Sequence, residues 1–291
     1  MISVSTIIPV FNDQRSAEIA LRSVFAQTRP SDEIIVVDDG SDPAFVLPDA
    51  APAHNIRVLR QPNGGPAAAR NAGIDAATGT HIAFLDSDDV WLEQKLEKQL
   101  AFFSTLPDSD LRTTICATGF ILSSRYASPN RGSRRALIPI EARDAITFAM
   151  GCWYCPGSTM MAHASLFHAV GRYDETLRRY EDYEFGLRLA RFGGRMAVCP
   201  ELLSAIHPRV RQHERSPEPS VSQIRAAHCE ALAKLTPKAA ANLDAFLELE
   251  CAASARRRGR YSDFAAHLLR SLAHRPRLHA QVGRFWSKSD G

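Results

Sequence analysis

Three carboxylates lie within four residues in the segment Asp86-Ser87-Asp88-Asp89, directly after the apolar run Ile82–Leu85. Negative charges this close repel one another, and a bound cation relieves the repulsion. A hard divalent ion such as Mg²⁺ or Mn²⁺ accepts one or two carboxylates and completes its coordination with phosphate oxygens and water. The alternative is a helix cap, which is favourable by about 1 kcal/mol but accounts for one aspartate, such as Asp89, and not for three. The cluster therefore favours a metal site.

A second acidic pair, Asp38-Asp39, follows the run Ile34–Val37 and precedes Gly40-Ser41. One interpretation is a turn, for which Asp-Gly is well suited. The other is a carboxylate that accepts hydrogen bonds from a ribose or from the imide N–H of uracil. The residues themselves leave both interpretations open.

A third segment, Asn63-Gly64-Gly65-Pro66, precedes an alanine-rich helical pattern, and Pro66 suits the first turn of that helix. Small residues before a helix N-terminus let the backbone approach a phosphate or a ribose closely. On its own the segment is weak support for such a site.

Apolar strands alternate with helical patterns through the first part of the chain, which is typical of βαβ units and a parallel sheet. The predicted strands are Val4–Val10, Ile34–Val37, Ile56–Leu59 and Ile82–Leu85. The predicted helices are Ser16–Gln27, with Ile19, Val24 and Phe25 on its buried face, Pro66–Ala77, and one that carries Leu92, Leu96, Leu100 and Phe103. Because open parallel sheets bind ligands at the carboxyl ends of their strands, we expect the acids to line a crevice there.

Later elements are predicted between longer loops. The extended or irregular segments are an exposed loop from Ser123 to Arg135, an extended stretch from Trp153 to Met161 and a hinge from Arg209 to Ser222. The helices are Tyr180–Phe192, with Phe185, Leu189 and Phe192 on one face, then Val221–Leu235, Pro237–Arg257 and Ser262–His274.

The overall composition is that of an ordinary globular protein, with 291 residues, 45% of them hydrophobic and 23% charged. The net charge of +3 and a pI near 8.6 fit attraction to phosphate-bearing ligands without showing it. No apolar run approaches the roughly 20 residues that cross a bilayer, and the first residues do not resemble a signal peptide. We therefore expect a cytoplasmic protein with reduced cysteines.

A single CxxC pair, Cys152 and Cys155, could be half of a zinc site or a redox pair. A zinc site needs a second pair of Cys or His at metal spacing, and none is apparent in the sequence. Buried structural thiols are the favoured interpretation.

Four segments together carry a family resemblance: STIIPVFN from Ser5, VVDDGS from Val36, NGGPAAARNAGI from Asn63 and AFLDSDD from Ala83. In order, spacing and type they resemble glycosyltransferase family 2 over about residues 1 to 95. A looser match continues to about residue 208, at 157–161, 171–175, 180–184 and 206–208. The resemblance implies a GT-A fold, which is a Rossmann-like, mixed and mostly parallel sheet flanked by helices, here with a C-terminal helical appendage.

The family also implies an activity, a cofactor and a division of the chain. The activity is transfer, with inversion, of a sugar from a nucleotide sugar, in this case UDP-linked, to a hydroxyl of a saccharide or lipid-linked acceptor in cell-surface polysaccharide or glycolipid assembly. A divalent cation, Mn²⁺ or Mg²⁺, would be the cofactor. Residues 1–110 would bind the nucleotide sugar, 111–215 would bind the acceptor, and 216–291 would form the helical region.

Site residues follow from the same resemblance. Those that would surround the donor are Pro9, Val10, Phe11, Asp39, Asn63, Gly64, Arg70, Asp86 and Ser87. Asp39 would face the base, and Asp86 would bind the ribose or the metal. The metal ligands would be Asp86, Asp88 and His207, although Ile206 stands where many relatives carry an aromatic or Arg-bearing lead-in.

Asp182 would be the general base that takes the proton of the acceptor hydroxyl. Its other interpretation is structural, because Glu181, Asp182 and Glu184 open a helix, where acids are stabilised by the helix dipole.

Three other functional classes fit less well. A sugar-1-phosphate nucleotidyltransferase should carry a Gly-rich, Arg- and Lys-bearing loop after its first strand, where this chain has Val10-Phe11-Asn12-Asp13. A non-catalytic carbohydrate-binding protein on the same fold would lose the metal acids or the base, which are all present. A glycosidase uses two carboxylates and water and needs no diphosphate pocket.

The C-terminal region is rich in arginine and lysine: Arg256, Arg257, Arg258, Arg260, Arg270, Arg275, Arg277, Arg284 and Lys288. One interpretation is contact with an anionic membrane surface that carries a lipid-linked acceptor, which would place the protein at the inner face of the membrane. Nucleic acid is not predicted as a partner, since no recognised motif accompanies the charges. A solvated helical face is the third interpretation and the favoured one.

Overall fold

The computed structural model describes residues 2–48, 55–122, 135–151, 157–207 and 216–275. The chain divides into two compact units. The first, called the sheet unit, comprises Met1–Pro139, Cys155–Thr176 and Gly194–Pro208, and the second, called the helical unit, comprises Ile140–Tyr154, Leu177–Gly193 and Arg209–Gly291. The predicted domain functions remain predictions.

Several predicted features lie wholly or partly outside the described residues. They are the Cys152 and Cys155 pair, the loop from Ser123, the start of the stretch from Trp153, the first half of the hinge from Arg209, and the basic residues Arg277, Arg284 and Lys288.

Nine strands are found in the described residues, all in the sheet unit. They are β1 Val4–Val10, β2 Glu33–Asp38, β3 Ile56–Arg60, β4 His81–Phe84, β5 Val90–Trp91, β6 Thr114–Leu122, β7 Arg135–Leu137, β8 Met161–His163 and β9 Arg195–Ile206. Their order in the sheet is β3-β2-β1-β4-β8-β6-β9-β5, with β7 beside β6. The four strands predicted in the first part of the chain are confirmed, each end within one residue.

The strands β3, β2, β1 and β4 form a parallel block, in which Ile7 of β1 lies opposite Ile35 of β2 and Phe84 of β4. All six residues of β2 are buried, which explains why that run is apolar without alternation. Beyond β4 the sheet becomes mixed, since β8 is antiparallel to β4 and β6, and β9 is parallel to β6. The carboxyl ends of β1, β2 and β4 therefore share one edge.

Nine helices are found in the same residues. They are α1 Gln14–Phe25, α2 Pro66–Ala76, α3 Lys95–Phe103, α4 Ala145–Ala149, α5 Ala164–Ala169, α6 Glu181–Arg191, α7 Glu218–Leu235, α8 Pro237–Arg257 and α9 Tyr261–His274. Of these, α1, α2, α3 and α5 belong to the sheet unit and the others to the helical unit. No helix in the described part of the chain is long and apolar enough to span a lipid bilayer.

The helix α2 packs directly over β1 in the sheet unit. A side chain at Gly73 would place its Cβ 2.4 Å from Cγ2 of Ile7, so only glycine permits this approach. The close packing fixes the N-terminus of α2 near the carboxyl edge of the sheet, where the acidic segments lie.

Four local predictions are wrong. Ile19 is exposed on α1, because Ala17, Ala20 and Leu21 supply the buried face together with the predicted Val24. Phe192, the C-cap of α6, is exposed, so the predicted buried face of this helix ends at Leu189.

The other two errors concern loops. The helix α3 begins at Lys95, so Asp89 does not cap it and Leu92 lies outside it. The predicted extended stretch contains a 3-10 turn at Gly157–Thr159 before it reaches β8 at Met161. In this turn the carbonyl of Ser158 accepts a hydrogen bond from the indole N–H of Trp91, 2.7 Å away.

Candidate functional site

The residues at the end of β1 occupy different environments. Val10 is buried, Pro9 is half-buried, and Phe11 is exposed at the carboxyl end of the strand. Asn12 follows with a φ of 51°, and its side-chain oxygen accepts a hydrogen bond from the backbone N–H of Asp42 at 2.8 Å. This contact ties the end of β1 to the turn after β2 and leaves the Phe11 ring available at the edge.

Asp39, directly after β2, is bound to the glycine-rich loop before α2. Its Oδ1 accepts from the side chain of Gln61 and from the N–H of Gly64, each at 2.8 Å. Its Oδ2 accepts from the N–H of Gly65 at 2.8 Å and from the side chain of Asn63 at 3.3 Å. A carboxylate has about four acceptor positions, so these contacts use its capacity. The predicted contact of Asp39 with a base stays a prediction and would require one of these bonds to be exchanged.

The neighbouring Asp38 is also buried and serves the turn after β2. It accepts from the N–H groups of Ser41 at 2.8 Å and Phe45 at 3.1 Å, and from the guanidinium of Arg60 at 3.2 Å. Burial acts to raise the pKa of Asp38, but the hydrogen bonds from Ser41 and Phe45 and the Arg60 charge outweigh it, so the pKa is lowered. For this acid the turn interpretation of the sequence is the better one.

The loop after β4 leaves its acids more open. Asp86 and Asp88 are partly exposed and Ser87 is buried. The Arg70 guanidinium donates to Oδ1 of Asp86 at 2.8 Å, with side-chain exposures of 4% for Arg70 and 30% for Asp86. The same guanidinium lies 5.7 Å from the ring centroid of Tyr173. Arg70 therefore holds Asp86 in place from beneath while part of the carboxylate faces solvent.

Asp89 is the buried acid of this loop and connects it to β9. Its Oδ1 accepts from the backbone N–H of His207 at 2.9 Å, and its Oδ2 accepts from the Ser158 hydroxyl at 2.6 Å. The oxygen of that hydroxyl also accepts from the N–H of Asp86 at 2.9 Å. Burial and the charge of Asp86 raise the pKa of Asp89 to about 8. These bonds bring His207 to the same loop as the predicted metal acids.

A preformed metal cage is not seen. Across the described residues, no three His, Cys, Asp or Glu side chains are grouped so that they could hold a metal ion. The chemistry of Asp86 and Asp88 nevertheless fits a hard cation, because one or two carboxylates suffice where phosphate oxygens and water supply the other ligands. The metal ion and the part of Asp86, Asp88 and His207 in binding it stay predictions.

Asp182 lies in the helical unit, in the first turn of α6 together with Glu181 and Glu184, and it is buried. The helix is the one predicted, with each end within one residue. Its acids lie where the helix dipole stabilises negative charge, as the structural interpretation requires. The general-base role of Asp182 stays a prediction.

Two residues of the sheet unit were missed in the sequence. Ser158 links Asp86 to Asp89, as described above. The side chain of Asn71 makes two hydrogen bonds to the backbone of Tyr173: it donates to the carbonyl at 2.9 Å and accepts from the N–H at 3.0 Å. The available signal was the family match, strong at 63–74 for Asn71 and loose at 157–161 for Ser158, which marked these stretches without indicating what they contact.

Comparisons with known proteins agree with this architecture. Residues 5–167 match the model of Glycosyl transferase family 2. The amylovoran biosynthesis glycosyltransferase AmsB of Erwinia amylovora is 28% identical over 217 residues, which are 71% of this chain and 70% of that protein. An uncharacterized glycosyltransferase of Rickettsia felis is 30% identical over 196 residues, 65% of this chain, and the chain spans only 31% of the length of that relative.

Solved structures show the same fold. The crystal structure of S. aureus TarS 1-349 in complex with UDP-GlcNAc has a TM-score of 0.59 at 17% identity and covers 91% of this chain and 90% of its own. The complex with UDP has a TM-score of 0.58 at 18% identity and covers 99% and 76%. The mixed sheet with flanking helices and the C-terminal helical region are thus those of a GT-A fold, as predicted. The chain belongs to glycosyltransferase family 2.

Proposed function

We propose that this chain transfers a sugar from a nucleotide-diphosphate sugar, UDP-linked, to a hydroxyl of a saccharide or lipid-linked acceptor, with inversion at the anomeric carbon. The observation that carries the proposal is the loop after β4 in a family 2 chain. There Asp86 and Asp88 keep partly exposed carboxylates at the carboxyl edge of the sheet, and Arg70, Ser158 and Asp89 hold the loop from beneath.

The donor would bind at that edge. The exposed ring of Phe11 and the backbone of Pro9 and Val10 would lie along the nucleoside, with the Asn63–Gly65 loop beside the ribose and phosphates. Support for UDP comes from TarS, a neighbour in fold whose structures hold UDP and UDP-GlcNAc. AmsB, named for amylovoran biosynthesis, supports a role in polysaccharide assembly.

Asp86, Asp88 and His207 would hold a divalent cation, Mn²⁺ or Mg²⁺. Such an ion acts as a Lewis acid that stabilises the negative charge on the departing diphosphate. Asp86, already paired with Arg70, is suited to orient a ribose hydroxyl or one side of the ion, whereas Asp88 supplies the carboxylate charge. The alternative of a non-catalytic protein is disfavoured because the chain retains these acids.

Asp182 would accept the proton of the acceptor hydroxyl as that oxygen attacks the anomeric carbon. A single in-line displacement converts an α-linked donor into a β-linked product. Asp182→Asn keeps the shape of the side chain but removes most of its basicity. We expect UDP affinity within about twofold of wild type and transfer reduced by about 10²- to 10⁴-fold.

A thermal-shift panel of nucleotides and nucleotide sugars, with and without Mn²⁺, tests the donor proposal. We expect stabilisation by UDP or a UDP-sugar that requires the ion and is removed by EDTA. Stabilisation by a sugar 1-phosphate with a nucleoside triphosphate would instead indicate a nucleotidyltransferase. A panel in which no nucleotide changes the melting temperature would refute the proposal.

For the basic C-terminal region we propose contact with an anionic membrane surface. The helix α9 exposes 70% of Tyr261 and 67% of Leu269, on a face that a purely solvated helix would not need to make apolar. Between α8 and α9, a groove of about 320 Å³ is lined by four apolar residues and two arginines: Leu249, Ala252, Ala253, Phe264, Arg256 and Arg257. An apolar face next to arginines suits an anionic lipid surface.

Vesicle flotation tests this contact. The wild type should float with vesicles rich in phosphatidylglycerol and remain below with phosphatidylcholine alone. Leu269→Glu should abolish flotation, whereas Leu235→Glu, at an exposed leucine of α7, should not. Equal flotation of the two variants would remove this surface from consideration.

A further inference from the structure

The turn that introduces α6 is strained. Tyr180, the residue before the helix, has φ 66° and ψ 23°, in the left-handed region that aromatic residues rarely adopt. Helices ordinarily begin with Ser, Thr, Asp or Asn, whose side chains bind the first N–H groups, but Tyr180 makes no such bond. A strained conformation of this kind persists only where the surrounding structure enforces it, and such positions cluster at functional sites.

The side chain of Tyr180 is anchored far along the chain. Its hydroxyl donates to Oε2 of Glu250, in α8, at 3.0 Å. Burial and the Glu250 charge raise the pKa of Tyr180, which therefore keeps its proton as the donor. This hydrogen bond fixes the residue two positions before Asp182 to a helix 70 residues later.

Two further side chains of the first turn are held in the same unit. The hydroxyl of Tyr183 donates to the carbonyl of Ala149, at the end of α4, at 2.9 Å, and its ring lies 4.6 Å from that of Phe246 in α8. Glu184 is buried and accepts from Nε of Arg188 at 2.8 Å and from Nε2 of His228, in α7, at 3.0 Å.

The contact between Glu184 and His228 indicates which ring nitrogen of His228 carries a hydrogen. Burial acts to raise the pKa of Glu184, but the bonds from His228 and Arg188 outweigh it, so the pKa is lowered and the group is a carboxylate. A carboxylate only accepts hydrogen bonds, so Nε2 of His228 carries the hydrogen. The first turn of α6 is thus tied to α7 through Glu184 and to α8 through Tyr180.

We infer that the helices α7 and α8 position Asp182 by holding the first turn of α6. The positioning contacts are the pairs Tyr180–Glu250 and Glu184–His228. The inference rests on the proposed role of Asp182 as general base. Asp182 lies between the two anchored residues, so a rotation of the helix start would move its carboxylate. A displacement of about 1 Å at a reacting group can lower the rate by about 10²-fold. The C-terminal helices would then serve the chemical step itself, in addition to any membrane contact.

The first test uses kinetics of full-length variants. Tyr180→Phe and His228→Leu should each lower kcat by about 10- to 100-fold and leave the KM for the donor and the affinity for UDP within about twofold. His228→Gln, whose amide can donate to Glu184, should recover most of the lost kcat. The controls are Ser104→Ala and His168→Leu, at exposed positions at the end of α3 and in α5, which should be unaffected. Unchanged kcat in both anchored variants would overturn the inference.

The second test does not depend on activity. Hydrogen–deuterium exchange of the peptide spanning residues 181–185 should be faster in Tyr180→Phe and His228→Leu than in the wild type and in the two controls. Unchanged exchange in both variants would overturn the inference that α7 and α8 hold the first turn of α6, even if catalysis were lost. A wild type that binds no nucleotide sugar and transfers no sugar would refute the proposed function, while the exchange result would still report on the two contacts.

Discussion

Two acidic loops follow parallel strands at the same edge of the sheet unit, and they use their carboxylates differently. After β2, Asp38 and Asp39 are buried and receive hydrogen bonds from the backbone and side chains of the protein. After β4, Asp86 and Asp88 remain partly exposed. Both loops read alike in the sequence, as acids after a buried apolar run.

The difference lies in the supply of donors around each loop. Four hydrogen bonds from the Gln61–Gly65 loop reach Asp39, and one glycine there, Gly65, adopts a φ of 92° that turns its N–H toward the carboxylate. After β4 the hydroxyl of Ser158 and the N–H of His207 donate to the buried Asp89, while Asp86 and Asp88 stay partly exposed. The two acidic pairs therefore differ in exposure, and the more exposed pair, Asp86 and Asp88, is the one for which a ligand role is proposed.

Between the two loops, the larger effect on transfer is expected at Asp88, the partly exposed acid after β4. Asp88→Ala should reduce transfer by about 10²- to 10³-fold, because a group that stabilises charge in the transition state is lost. Its melting temperature should stay near that of the wild type, since the side chain is partly exposed. Radiolabelled sugar transfer and a thermal melt measure the two quantities. Asp108→Ala, at an exposed acid outside both loops, is the control, and comparable transfer by the two variants would contradict the comparison.

Replacement of Asp39, the buried acid after β2, should instead lower the stability of the protein. Asp39→Ala leaves the N–H groups of Gly64 and Gly65 without their acceptor, which should lower the free energy of unfolding by about 2–3 kcal/mol. UDP binding should weaken by about tenfold as the loop shifts, which corresponds to about 1.4 kcal/mol. Urea unfolding and titration calorimetry measure the two changes. A variant that loses UDP binding at full stability would show that Asp39 contacts the ligand directly and that the two loops are alike.

The sequence was sufficient for the first four strands but not for β5, β6, β7 and β9, nor for this difference between the two loops. Runs of buried β-branched residues predicted β1 to β4, and the DSDD segment was correctly placed at a strand end. Hydrogen bonds to Asp39 come from residues at least 22 positions away, and those between Ser158 and the β4 loop span 69 or more. No local sequence pattern shows which distant hydrogen-bond donors will contact a given carboxylate. The burial and the exposure of each carboxylate therefore followed only from the three-dimensional structure.

A smaller effect is expected from the residue that connects the open loop to the rest of the sheet unit. Ser158→Ala removes the acceptor of the Asp86 N–H and the donor to Asp89. We expect transfer to fall by about tenfold, which corresponds to about 1.4 kcal/mol of transition-state stabilisation, because the loop loses orientation while both open acids remain. Ser104→Ala, which removes an exposed hydroxyl at the end of α3, should leave transfer unchanged. If both serine variants behave alike, the β4 loop does not depend on Ser158.

Lys95 is the opposite extreme to Asp39, a buried charge without hydrogen-bonding partners. Its ammonium group has no hydrogen bond and lies 3.8 Å from the centroid of the Trp91 ring in the core of the sheet unit. Burial lowers the pKa of Lys95 from 10.5 to about 7, so at neutral pH and below the folded protein loses stability relative to an apolar side chain. Lys95→Met keeps a flexible chain of similar shape and should raise the free energy of unfolding at pH 7 by about 2 kcal/mol, with transfer unchanged.

The pH dependence identifies the cause of that gain. Between pH 7 and 10.5 the unfolded chain keeps the Lys95 proton that the folded protein has released, so the wild type gains stability as pH rises through this window. The methionine variant lacks this slope, and its advantage should be largest at or below pH 7 and shrink toward pH 10.5. Urea unfolding at pH 6, 7, 8 and 9 checks this, with Lys98→Met, a partly exposed lysine of the same helix that is paired with Glu201, as the control. A methionine variant less stable than the wild type at pH 7 would mean that the contact between the Lys95 ammonium group and the Trp91 ring outweighs the cost of burying the amine. The absence of hydrogen-bond partners would then not destabilise this buried group.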